Sequence, residues 1–326
     1  MNPRERVSLG RTSLRVTRLG LGTAPLGGLF EAVPEDQAIG VIERAWEAGI
    51  RNFDTAPLYG YGLAEMRLGK ALHEKPRHEF VIASKVGRLL RVDAPPEPGQ
   101  SYRGTPPVNP VFDFSYDGVM RSVDESLERL RLERIDILHI HDPDNHFDEA
   151  LLGAYKALDR LRSDGSIRAV GAGMNQAEML TRFAREGTFD CFLLAGRYTL
   201  LDQIALKELL PLCVERGIAI IAAGVYNSGI LADPRPGARY NYAAAPEPLL
   251  ERARKIQAVC DGYRVPLKAA AVQFPLAHPA VSCVVVGCRS VAQLDESLDM
   301  FAVDIPAALW TELKAEGLLQ EDAPTP

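Results

Sequence analysis

Eight short apolar runs, each followed by a helical pattern, limit what this chain can fold into more than any other feature. Leu19–Thr23, Ile50–Asp54, Phe80–Lys85, Ile135–His141, Ile167–Ala172, Cys191–Ala195, Ile218–Ala223 and Val281–Val286 read as strands. Runs such as Ile218-Ala219-Ile220-Ile221-Ala222 show no polar alternation, the pattern of a parallel strand covered on both faces. Between them the spacing predicts helices over 34–49, 64–72, 116–130, 148–162, 176–186 and 201–216, then a pair over 248–263 and 266–278. The first has Pro34 near its opening turn and Gly49 at its end. Two more helices, over 291–300 and 306–317, close the chain. No repeat, low-complexity run or linker divides it. The expected fold is α/β, a closed (β/α)8 TIM barrel in a single domain over 1–326, within the size range of such barrels. Val7–Gly10 and Leu14–Leu19, around the turn Gly10-Arg11-Thr12-Ser13, predict a small capping hairpin.

Bulk properties exclude several functions. A net charge of −6 and a pI near 5.6 argue against a nucleic-acid or acidic-membrane partner, because phosphate binding needs a basic face. The five cysteines, 191, 213, 260, 283 and 288, form no C-x-x-C pair, so neither a disulfide framework nor a thiolate zinc site is expected. The polar start Met-Asn-Pro-Arg-Glu-Arg lacks an apolar signal segment, and no run is long enough to span a membrane. A cytoplasmic protein with a small-molecule substrate is expected. The sequence carries no signal of oligomeric state. A dinucleotide fingerprint fails twice: Pro25 takes the third glycine's place after Gly20-x-Gly22 with no helix opening there, and Glu65 takes it after Gly60-x-Gly62.

Chemistry gathers at strand ends, the rim on which barrels build their sites. Asp54 ends the second strand and Tyr59 follows in a loop forced to turn by Pro57 and Gly60; Lys85 and His141 end the third and fourth strands. A phenol is a poor acid near neutrality, and a nearby ammonium favours the phenolate. Lys85 supplies that charge if its strand neighbours that of Asp54, which would hold the ammonium in place. His141 would donate to a carbonyl oxygen or steer a hydroxyl towards the phenol. Such a set suits a reaction that moves a proton and a hydride together, and the hydride carrier must be a nicotinamide, since no side chain carries one. Gly87–Ser115 and Gly224–Pro246 are read as long unpatterned loops, of the kind that form lids.

The stretches Phe53-Asp54-Thr55-Ala56…Tyr59-Gly60, Ser84-Lys85 and His141-x-Pro143 resemble the catalytic tetrad of the aldo-keto reductases in order and spacing. The resemblance covers about Leu19 to Gly317. Leu194–Leu201 and Gly224–Gly229 further resemble the branch of that family that oxidises aldoses at C1, which includes L-fucose, D-threo-aldose and pyridoxal dehydrogenases. It implies catalytic Asp54, Tyr59, Lys85 and His141. It implies cofactor contacts from Gly22, Thr23, Asp54 and Asn175, and from Gly224, Tyr226, Asn227, Ser228 and Leu231 after the seventh strand. Near the eighth strand it implies Gly287, Arg289, Gln293 and Ser297. Tyr59, Tyr61, His141, Arg197 and Asn227 are the implied substrate contacts. The family's Ser-Asn after strand five becomes Gly173-Met174-Asn175, its glutamine after strand six becomes an apolar residue near Leu194 or Ala195, and its stacking tyrosine after strand seven becomes Ala223. Gln293 replaces an arginine of NADP-preferring relatives, which favours NAD, with NADP still admitted through Arg289.

Each residue also has a plainer reading. Asp54 alone would cap a turn, Tyr59 alone would be a packed aromatic, and Tyr61, Tyr226, Asn227 and Arg197 would be loop packing. His139 and His141 face one side of their strand, but no third ligand has suitable spacing, so no metal site is expected. His139 is read as a hydrogen-bonded core residue, Asp142 and Asp144 as rim turn residues and Cys288 as a small packer. Rival functions are pyridoxal oxidation, a general aldehyde or ketone reductase, and a nicotinamide-binding, redox-sensing partner subunit.

Overall fold

A computed structural model describes residues 1–96 and 99–326. The strands, in chain order, begin with a hairpin of β1 (Arg6–Ser8) and β2 (Arg15–Thr17), followed by β3 (Leu19–Gly22), β4 (Asn52–Asp54) and β5 (Val81–Val86). Next come the pair β6 (Arg88–Arg91) and β7 (Asn109–Phe112), then β8 (Ile137–His141), β9 (Ala169–Met174), β10 (Cys191–Ala195) and β11 (Ala219–Ala223). A two-residue pair, β12 (Arg239–Tyr240) and β13 (Ala243–Ala244), precedes β14 (Val281–Gly287). Strands β3, β4, β5, β8, β9, β10, β11 and β14 close into one parallel barrel in that order. The expected barrel is therefore present, with its helices on the outside.

Register decides what meets inside. Asp54 pairs with Ala83, Lys85 with His139, and His141 with Gly173. Side chains of a strand alternate between faces, so Val81, Ala83 and Lys85 of β5 share the interior with Ile137, His139 and His141 of β8. At the lower end the interior is apolar: Val81, Ile137, Ala169, Cys191, Ala219 and Cys283 pack with Leu9, Leu14 and Val16 of the hairpin, which plugs that mouth. Higher up, strand glycines make room for large polar side chains. A Cβ on Gly20 would lie 2.8 Å from the Asn52 amide nitrogen, and one on Gly171 would collide with the His139 ring. The helix Glu35–Glu47 buries Ala38, Val41, Ile42 and Ala45, the i, i+3, i+4, i+7 stripe of an amphipathic helix. Ser115 caps Tyr116–Leu130, accepting from the Gly118 N–H at 3.0 Å.

Departures from the sequence reading have local causes. Residues 87–115 are not patternless: β6 and β7 form a ribbon at the root, and Pro110 in a four-residue edge strand hides the alternation. The second loop carries the β12–β13 turn at Asn241 and Tyr242, whose φ values are 49° and 66°. A single 3-10 turn, Pro25–Gly27, stands where no helix was expected. The helix expected over 148–162 contains a π-helical stretch, Ala150–Ala154, where Gly153 lies against the Phe114 carbonyl. That expected over 201–216 splits into Ile204–Lys207 and Leu209–Arg216, because Pro211 lacks an N–H and fits only a first turn. That over 266–278 becomes 3-10 at Pro275. No helix among the described residues is long and apolar enough to cross a membrane.

Candidate active site

The upper ends of β5, β8, β9 and β10 and the loop after β4 enclose a cavity of about 280 Å³, lined by Tyr59, Lys85, His141 and Asn175 among others. Beneath it the Lys85 ammonium lies 2.8 Å from both Asp54 carboxylate oxygens and 2.9 Å from the Thr55 carbonyl. All three of its donors are thereby used, which is how a fully buried lysine is tolerated. Lys85 Nζ stands 4.5 Å from the centre of the Tyr59 ring, and the His141 ring meets Tyr59 edge-on with centroids 5.7 Å apart. Gly60, at φ 64°, packs so closely on Gly27 that a side chain there would collide with its carbonyl, which fixes the Tyr59 loop against the loop after β3.

Charge in this cavity differs from the sequence expectation in one respect. The Tyr59 phenol is pushed well above its ordinary range rather than down, first by burial and then by the Asp54 carboxylate. Asp54 already neutralises the ammonium, so little of that charge remains to favour the phenolate. Burial also lifts the Asp54 carboxyl above its usual value, and Lys85 opposes the lift. His141 is held well below the imidazole range by burial and by Arg88 and Lys85, so it is neutral at pH 7. His139 is pulled to about 3 by burial and Lys85. Neither of its ring nitrogens has a protein partner among the described residues, which corrects the reading of a hydrogen-bonded core residue.

A second chamber of about 450 Å³ adjoins the first, and both are lined by Ala24, Leu29 and Tyr242. Gly224, Tyr226, Ser228, Gly287, Arg289, Gln293 and Ser297 line this second chamber, together with the unanticipated Phe30, Lys268 and Glu296. It ends at the N-terminus of the helix Val291–Ala302, capped by Ser290, where a helix favours phosphate. An elongated dinucleotide fits this arrangement. The nicotinamide end would lie beside Asn175 in the catalytic chamber, and the phosphates would lie near Arg289 and the helix end. The Arg289 guanidinium also donates to the Leu29 carbonyl at 3.1 Å.

Other expected contacts line neither chamber. Arg197 is tied to the Gly196 carbonyl, Asn241 and Asp202, and so braces the 224–246 loop. Asn227 is buried and donates to the Gly196 carbonyl at 3.1 Å. Tyr61 is buried and packs on Tyr102 with ring centroids 6.1 Å apart. Thr23 donates to the Asp54 carbonyl at 3.0 Å, Gly22 pairs with Asp54 in the barrel, and Leu231 is buried with its N–H bonded to the Tyr226 carbonyl. Asp54 touches the cavity only through Lys85. Sequence reasoning missed Gln100, Ser101 and Tyr102, which line the catalytic chamber. Their segment is laced to the loop after β3 by backbone bonds from Phe30 N–H to the Ser101 carbonyl, 2.7 Å, and from Arg103 N–H to the Gly28 carbonyl, 2.9 Å. Asp142, read as a rim turn residue, also lines the chamber; so do Leu193 and Ala195, and of the two apolar positions expected after strand six Ala195 faces the chamber while Leu194 packs in the core.

Comparison with known proteins agrees with this geometry. Residues 18–316 match the Aldo/keto reductase family. The chain is 46% identical to a pyridoxal 4-dehydrogenase of Microbacterium luteolum, over 97% of this chain and 98% of that one. It is 44% identical to a D-threo-aldose 1-dehydrogenase of a Pseudomonas species, over 96% of each. An aldo-keto reductase of Bacillus halodurans, solved in its holo form, superposes with a TM-score of 0.76 at 26% identity, over 95% of each chain.

Proposed function

The chain belongs to the aldo/keto reductase family, and from that premise we propose that it oxidises an aldose at C1 to the lactone, with NAD as the preferred acceptor. It is an oxidoreductase acting on a small molecule with a nicotinamide cofactor. The observation that carries the finer reading is one cavity lined by a phenol, a lysine saturated by a carboxylate, and a neutral imidazole. Bound nicotinamide supplies the hydride acceptor. Tyr59 exchanges the proton of the reacting hydroxyl, His141 donates to or orients that oxygen, and Lys85, anchored by Asp54, packs against the Tyr59 ring and holds it in place. Asn175 holds the carboxamide. The raised phenol value keeps Tyr59 protonated near neutrality, the form that donates in reduction, and makes its phenolate the stronger base for oxidation.

Pyridoxal oxidation stands beside this reading, supported by the identity to the Microbacterium enzyme. The two share one chemistry. Aldoses and pyridoxal each carry a hydroxyl that closes on the aldehyde, and the resulting cyclic hemiacetal presents the same H–C–O–H unit to Tyr59. Support for NAD comes from Gln293, which lines the chamber in place of an arginine. We place the protein in the cytoplasm, with residues 1–326 working as one barrel domain. Steady-state rates with L-fucose, D-arabinose, pyridoxal and 4-nitrobenzaldehyde, each with NAD(H) and NADP(H), test this. Turnover confined to 4-nitrobenzaldehyde would contradict it in favour of a general reductase. Tight cofactor retention without turnover would contradict it in favour of a redox sensor.

A further inference from the structure

Asp142 follows His141 at the end of β8, where strict alternation would turn its side chain away from the cavity. Its backbone instead adopts φ 42°, a left-handed conformation that Asp tolerates better than most residues. The Asp142 N–H is held by the Gly173 carbonyl at 3.1 Å. The carboxylate consequently lines the same chamber as Tyr59 and His141. Its Oδ2 lies 3.5 Å from His141 Nε2 and 4.0 Å from the Arg88 guanidinium. Neither distance makes a good hydrogen bond, and the carboxylate is one-third exposed, at 34%. A charged acceptor without a direct hydrogen-bond donor among the described residues therefore sits beside the imidazole that faces the reacting oxygen.

We propose that Asp142 is the specificity-determining residue that accepts a hydrogen bond from the hydroxyl on the carbon next to the reacting one. Adjacent hydroxyl oxygens of a gauche diol lie about as far apart as a hydrogen-bonded pair. An oxygen bound at His141 Nε2 thus places its vicinal neighbour within reach of Asp142 Oδ2. Aldoses carry that hydroxyl at C2; the ring hydroxyl of pyridoxal sits one carbon further from the reacting centre, outside this vicinal relation. Simple aldehydes lack it. The inference rests on the reading of the reaction given above, but only for which substrate carries the hydroxyl.

Two substrate pairs that differ only at this position decide the matter: D-arabinose against 2-deoxy-D-ribose in oxidation, and lactaldehyde against propanal in reduction. A hydrogen bond to a charged acceptor gives the wild type a preference of about tenfold or more in kcat/KM for the hydroxylated member. Asp142→Gly removes the carboxylate and accepts the left-handed backbone without strain; Asp142→Asn keeps the shape and loses the charge. The expected result is that the preference collapses to below about threefold in Asp142→Gly and falls in Asp142→Asn. Equal loss on both members of a pair would make Asp142 an orienting group for His141 and overturn the proposal. So would a wild type indifferent to the hydroxyl. If neither sugar is turned over, the aldose reading fails, while the lactaldehyde–propanal ratio still decides the role of Asp142.

Discussion

The buried pair under the catalytic chamber gives the sharpest test of how the fold holds its charges. Asp54→Asn keeps the shape of the side chain and removes the charge that faces Lys85 at 2.8 Å on two oxygens. The ammonium, 1% exposed, is then left with neutral acceptors alone, the Thr55 carbonyl and the amide oxygen of the substituted side chain, and no counter-charge. Breaking a buried ion pair from one side costs about 3–5 kcal/mol. Unfolding entropy of roughly 2.1 cal/mol/K per residue over 326 residues gives about 0.7 kcal/mol/K, so the melting temperature falls by about 4–7 °C. Lys85→Met strands the carboxylate instead, but a carboxyl can neutralise itself by taking a proton. A carboxyl whose folded pKa lies above its unfolded one binds that proton preferentially in the folded state. The Lys85→Met deficit is therefore greatest at neutral pH and shrinks as the pH falls towards about 4. The double variant, with no buried charge, recovers to within about 1–2 kcal/mol of the wild type. Thermal melts followed by circular dichroism on the four proteins at pH 5 and pH 8 measure all of this. A melt for Asp54→Asn within about 1 °C of the wild type would refute the reasoning, as would a double variant no better than the sum of its singles.

Three further outcomes follow from the same site. In the cofactor-free protein, a difference titration of phenolate absorbance between wild type and Tyr59→Phe should show no Tyr59 ionisation below pH 10, since burial raises it; an ionisation below pH 9 would contradict the burial account. In kcat/KM, NAD should be favoured over NADP by well over twofold, and a twofold or smaller preference removes the cofactor assignment. Burial lifts the Asp142 carboxyl to about 6, opposed by Arg88 and Lys85 and reinforced by Asp144, with His141 and Tyr242 also facing it. Its acceptor capacity is lost as the pH falls through that value, so the preference for vicinal hydroxyl substrates should decline between pH 7 and pH 5 while that of Asp142→Gly stays flat.

The barrel was legible because its signal is repetitive: eight apolar runs, each with a helix behind it, leave few alternatives. The tetrad was legible because Asp54, Lys85 and His141 end strands, where position along the chain fixes height in the barrel. Tyr59 needed the joint pattern. Residues delivered by loops were not legible. Tyr102, Leu29 and Tyr242 meet only because the Gly28–Phe30 backbone pairs with 101–103 and because Phe30 packs on Tyr242 with centroids 6.0 Å apart. No local periodicity encodes those contacts. Asp142 shows the limit of alternation itself: one left-handed residue reverses the face that counting from His141 assigns. Arg197 and Asn227 show the converse: Arg197 bonds to the Gly196 carbonyl and Asn241, and Asn227 donates to the Gly196 carbonyl, contacts between loops that no local pattern encodes. The phenol's electrostatics needed coordinates too, because Lys85 spends its charge on Asp54 before Tyr59 can use it.

The most direct test removes one oxygen atom. Tyr59→Phe leaves the ring that packs beside Lys85 and His141 and deletes the hydroxyl. Its kcat for oxidation of the preferred aldose, or of pyridoxal, should fall by about 10²–10⁴-fold, the usual contribution of a positioned acid or base. The dissociation constant for NAD, measured by fluorescence quenching, should stay within about twofold, because the hydroxyl lies in the chamber of Lys85 and His141 and not in the one proposed to take the phosphates. A variant that keeps more than a few per cent of the wild-type kcat with cofactor binding intact would contradict the role of Tyr59 in the proton transfer.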